Sequence, residues 1–87
     1  MWRIKFHKQP LKELAKMQKE DRERVFKAIY ALRKNPFDIY KLDIKNMKAC
    51  RDWRLRVGKY RVIYRLLEAE IVIDVIKIAP RGDAYKD

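Results

Sequence analysis

A dipeptide, Gly58-Lys59, dictates more of the fold than any other stretch of this 87-residue chain. It separates Trp53-Arg54-Leu55-Arg56-Val57 from the run Tyr60 to Leu67, and both runs are rich in β-branched, aromatic and aliphatic residues. Glycine in the first position of a two-residue loop marks a type II′ hairpin. Such a loop sets Val57 opposite Tyr60, Arg56 opposite Arg61, Leu55 opposite Val62 and Arg54 opposite Ile63. Alternation then puts Trp53, Leu55, Val57, Tyr60, Val62 and Tyr64 on one face. Arg54, Arg56, Arg61 and Arg65 share the other. A slip of one residue would scatter the arginines over both faces.

The rest of the chain supplies what the hairpin packs against. Residues 2–7 alternate apolar Trp2, Ile4 and Phe6 with polar Arg3, Lys5 and His7, the pattern of a half-buried strand. Pro10 suits the first turn of a helix whose stripe is Leu11, Leu14 and Ala15. Asp21 is read as the N-cap of a second helix with Glu23 in its first turn, a stripe of Val25, Ile29 and Leu32, and a stop at Asn35-Pro36. Residues 35–52 show no firm period. After Glu68-Ala69-Glu70 a third strand, 71–78, is apolar on both faces except at Asp74 and Lys77, as befits an internal strand. The expectation is one α+β domain over residues 1–87, in the order β-α-α-β-β-β. An antiparallel-rich sheet would carry a two-helix hairpin on one face.

Charge is unevenly distributed. Lys and Arg number 23 against 12 acids, a net charge of +11. From Lys45 to Arg65 stand Lys45, Lys48, Arg51, Arg54, Arg56, Lys59, Arg61 and Arg65 against a single acid, Asp52. The first half mixes signs as solvated helices do. A local excess of arginine suits phosphate, because the planar fork bonds two oxygens at once. The lone Cys50 excludes a disulfide within the chain and fits a reducing, cytoplasmic setting. No apolar run is long enough to span a membrane, and Met1 to Lys8 lacks the apolar core of a signal peptide.

Arg56 and Arg61, directly opposite, would repel each other at a cost of about 0.2–1 kcal/mol. An anion between them reverses the sign. The plain alternative is that both splay into water, but four arginines on one face of a basic protein favour the phosphate. Past the last strand, Arg81 and Tyr85 stand where the chain can turn back at Gly82. Other candidates are weaker. His7 is the only histidine, so no two-histidine nuclease pair and no zinc site can be built, and a sheet-surface position is its expected role. Cys50 reads as a small buried hydrophobe. No cofactor or metal is expected.

Trp53 through Tyr64, with its Gly58-x-Tyr60-Arg61-x-x-Tyr64 core, then Ile76-Lys77-Ile78 and Arg81-Gly82-Asp83-Ala84-Tyr85, resembles the RelE/ParE toxin superfamily, RelE type. The resemblance implies the toxin of a type II toxin–antitoxin system, restrained by a RelB-like antitoxin. It implies a ribosome-dependent endoribonuclease that cuts mRNA in the A site by 2′-hydroxyl attack on the adjacent phosphodiester. Carried over, the catalytic set is Arg54, Arg56, Arg61, Arg81 and Tyr85, with Lys45, Lys48, Arg51 and Arg65 binding RNA or rRNA. Arg61 and Arg81 would clamp the phosphate, and Tyr85 would stack on a base or assist proton transfer. Some RelE proteins carry lysines where Arg54 and Arg56 stand. Arginine cannot replace a lysine base, so these positions name no acceptor for the 2′-hydroxyl proton. The alternatives are a ParE-like gyrase-inhibiting toxin and a non-catalytic RNA-binding module.

Overall fold

A computed structural model describes residues 1–47 and 51–80. Strand β1 (Arg3–Phe6) leads into helices α1 (Lys8–Lys16) and α2 (Lys19–Ala31), followed by strands β2 (Ile44–Asn46), β3 (Asp52–Val57), β4 (Tyr60–Leu67) and β5 (Val72–Pro80). The sheet runs β1-β5-β4-β3-β2. Strand β5 pairs with β1 in parallel, and every other neighbouring pair is antiparallel. The expected order stands with one short strand, β2, added inside the stretch that lacked a period.

The β3–β4 hairpin has the expected register: Val57 faces Tyr60, Arg56 faces Arg61, Leu55 faces Val62 and Arg54 faces Ile63. Gly58 takes φ +56°. A positive φ at the first loop position is what the type II′ turn requires, and a side chain there would be strained. The β4–β5 pairing contains a bulge, since Ile63 faces Lys77 while the adjacent Tyr64 faces Val75. The extra residue, Ile76, resets the alternation. Asp74 and Lys77, three residues apart, therefore lie on the same face as Arg65 and Arg61.

On the other face lies the core. Leu14 and Met17 with Val25 and Ile29 of α2, and Leu32 just past its end, pack on Leu55, Val57, Val62, Tyr64, Ile73, Val75 and Ile78. The fully buried Tyr64 donates its hydroxyl to the Pro36 carbonyl at 3.0 Å. Burial pushes its phenol well above the usual tyrosine range.

Both helices start earlier than expected. α1 begins at Lys8, and Pro10 still falls in its first turn, where a missing N–H costs nothing. α2 begins at Lys19 with Gln18 at its N-cap, so Asp21 is a first-turn acid. Arg22 explains the shift. Its guanidinium donates to the carbonyls of Leu14 at 3.0 Å and Met17 at 2.8 Å. The open end of α1 is thus closed by the first turn of α2, leaving only Met17 and Gln18 between the helices. Asp21 instead reaches the hairpin loop, 3.8 Å from Lys59 Nζ.

Candidate nucleic-acid interface

The helix-free face of the sheet carries Lys45 on β2, Arg54 and Arg56 on β3, Arg61 and Arg65 on β4, and Lys77 on β5, each placed there by the register. Lys5 on β1 faces Asp74 across the parallel pair and joins the same row. Two carboxylates, Asp52 and Asp74, interrupt this field. Ile63 is fully buried within it yet belongs to no core cluster, so the face has an apolar floor beneath its charges.

The four arginines are held differently. Arg65 donates Nε to Asp52 Oδ1 at 2.7 Å, and that aspartate is almost wholly buried. The short charge-assisted bond pins Arg65 toward β3. Arg54 is 5% exposed and stands 3.9 Å from Asp43 Oδ1. Arg56 and Arg61 face each other directly, both half-buried. Among the described residues the buried Nε of Arg56 has no acceptor. A buried donor left unmatched costs about 1–3 kcal/mol, more when charged. An oxyanion between the two strands, whose backbones lie about 4.8 Å apart, would supply that acceptor and screen the repulsion.

Among the expected site residues, Lys45, Arg54, Arg56, Arg61 and Arg65 are thus gathered on one face. Arg51 is not with them. It lines a separate cleft on the helix side with Phe37, Asn46, Trp53, Leu66 and Glu68, because alternation groups it with Trp53 and Leu55. Lys48, Arg81, Tyr85 and Cys50 lie outside the described residues. Lys77 and Lys5 were missed: the first needs the bulge at Ile76 and the second needs the parallel β1–β5 pairing, and neither leaves a local mark. His7 does lie at the sheet surface as expected, but with a half-buried partner, Asp74, 3.0 Å from its Nε2. No group of metal-ligating side chains occurs among the described residues, and none of their helices is long and apolar enough to cross a membrane.

The chain is similar to known proteins over nearly all its length. A family model described as ParE toxin of type II toxin-antitoxin system, parDE, matches residues 4–85. A toxin RelE1 of Methanocaldococcus jannaschii is 34% identical, covering 97% of this chain and 94% of that protein. The archaeal RelE-RelB complex from Pyrococcus horikoshii has a chain with 32% identity and a TM-score of 0.82, covering 95% of this chain and 98% of that one. At 19% identity the toxin fold of the E. coli RelBE complex still matches with a TM-score of 0.78, over 94% of this chain and 99% of that one. The protein belongs to the RelE/ParE superfamily and is a RelE-type toxin of a toxin–antitoxin system.

Proposed function

We propose that this toxin is a ribosome-dependent endoribonuclease that cuts messenger RNA in the A site. The observation that carries the reading is the direct opposition of Arg56 and Arg61, with an unmatched buried donor on the first. Two guanidinium groups across one ladder can hold a phosphodiester and stabilise the charge that develops as the 2′-oxygen attacks phosphorus. Arg81 closes the clamp from the tail and Tyr85 contacts the base or the leaving oxygen. Arg54 and Arg65, fixed by carboxylates, bind flanking phosphates with Lys45 and Lys48, while Arg51, on the other side of the sheet, is left out of this set. Ordering by the ribosome supplies the in-line geometry. The work is done in the cytoplasm, where the messages are.

The partner that restrains the toxin is a RelB-like antitoxin, as RelE is bound in the P. horikoshii complex. It is acidic and covers part of the arginine face. The matching ParE family model supports a second reading, a gyrase inhibitor without nuclease chemistry. Inducing the protein in cells and mapping message 5′ ends separates the two. Codon-phased cuts, lost in Arg61→Ala while antitoxin binding persists, are the expected result. DNA damage with intact messages would transfer the assignment to gyrase.

A further inference from the structure

The arginines of the sheet face cannot take the 2′-hydroxyl proton, and the structure places an imidazole at the β1 edge of that face. His7 follows β1 directly and caps α1 through its backbone alone, with no side-chain cap bond. Its Nε2 is 3.0 Å from Asp74 Oδ2; the imidazole is 49% exposed and the carboxylate 13%. A half-buried carboxylate on one ring nitrogen orients the imidazole and fixes its tautomer. The other nitrogen, Nδ1, has no partner among the described residues. Arg65, the opposite number of Asp74 on β4, donates its Nε to Asp52. The remaining oxygen, Asp74 Oδ1, is buried with no hydrogen-bond donor among the described residues. It stands ready to accept one from a ribose hydroxyl.

We infer that the His7–Asp74 pair takes the 2′-hydroxyl proton of the RNA. The inference rests on the nuclease reading above. Strand β5 alone separates β1 from β4, a lateral gap of two strand spacings, about 10 Å between backbones, and the register sets His7, one residue past Phe6, between the levels of Arg65 and Arg61. An arginine side chain on one bank and a ribose on the other span it. In the step, Nδ1 accepts the 2′-hydroxyl proton as the 2′-oxygen bonds to phosphorus. The bond from phosphorus to the 5′-oxygen breaks, and that oxygen takes a proton from water. The imidazolium returns its proton to solvent, leaving a 2′,3′-cyclic phosphate and a 5′-hydroxyl. The charged groups around the imidazole are Lys5 on β1, Lys8 at the start of α1, Asp74 and Lys77 on β5, and Arg65 on β4.

Single-turnover cleavage on message-programmed ribosomes, followed across the imidazole range of about pH 5 to 8, tests this. The wild type should show a rate that rises tenfold per pH unit and then levels. His7→Gln should be slower by about 10²–10³-fold and lose that limb. A message with 2′-deoxyribose at the cut site should bind both proteins alike. Asp74→Asn should keep the limb but lower its plateau, because the imidazole loses the carboxylate that orients it. This second variant decides the matter if His7→Gln does not fold. An unchanged rate and profile in His7→Gln, an equal loss of binding to the deoxy message, or an undiminished plateau in Asp74→Asn would overturn the assignment and leave the nuclease standing. No cleavage by the wild type would remove both.

Discussion

Arg56 and Arg61 set like charges across a ladder where threonine or glutamate would be more stable. The hairpin tolerates this because its other face supplies Leu55, Val57 and Val62 to the core, and burial of each is worth about 1.5–3 kcal/mol against a repulsion of 1 kcal/mol or less. Burial makes a different demand on Tyr64. Its phenol is raised above the unfolded value of 10, so the folded state keeps a proton that the unfolded state gives up in alkali. The stability this proton represents is complete below about pH 10 and drains away above it, at up to about 1.4 kcal/mol per pH unit. Tyr64→Phe should cost about 1 kcal/mol at neutral pH, through the lost bond to Pro36. It should also flatten the alkaline decline, as denaturation midpoints at pH 8 and pH 11 will show. An equal decline in both proteins would mean that other groups govern it.

Among the elements, the β3–β4 hairpin was legible residue by residue because a two-residue loop leaves no freedom of register. The helices were legible as stripes but not at their ends, since their caps are made by tertiary contacts such as Arg22 with Leu14 and Met17. Strand β2 was not legible. Three residues with only Ile44 buried carry too little alternation to be seen. Another tertiary device closes the sheet where β1 ends. Gln9 of α1 donates Nε2 to the Ile78 carbonyl at 2.8 Å, and its Oε1 accepts the Ile78 N–H at 2.9 Å. One side-chain amide thereby replaces a strand residue and satisfies both backbone groups of β5 beyond Phe6. Gln9→Ala should destabilise the protein by about 2 kcal/mol, since two ladder groups lose partners at once. A urea midpoint equal to the wild type would show that water fills the gap without cost.

At the scale of the whole molecule, the net charge of +11 is sorted by the sheet. One side is occupied by two helices and an apolar core. The other carries Arg54, Arg56, Arg61, Arg65, Lys45, Lys77 and Lys5 around two carboxylates. That the basic run belongs to one face was readable from hairpin parity. The contributions of β1 and β5, and with them His7 beside Asp74, emerge only when the chain closes its parallel pair and its bulge. Binding to single-stranded RNA should weaken linearly in log–log salt plots, with a slope of about −2.8 if four phosphates are neutralised at about 0.7 each. A slope near zero would point to contacts made elsewhere.

The most direct test of the arginine pair is the single-turnover cleavage rate on programmed ribosomes for Arg56→Thr, Arg61→Thr and the double variant. If one phosphodiester lies between the two guanidinium groups, each single change should slow cleavage by about 10²–10³-fold. The double change should add little more, because the clamp fails once either half is gone. Wild-type rates in both single variants, in protein that still folds, would contradict it.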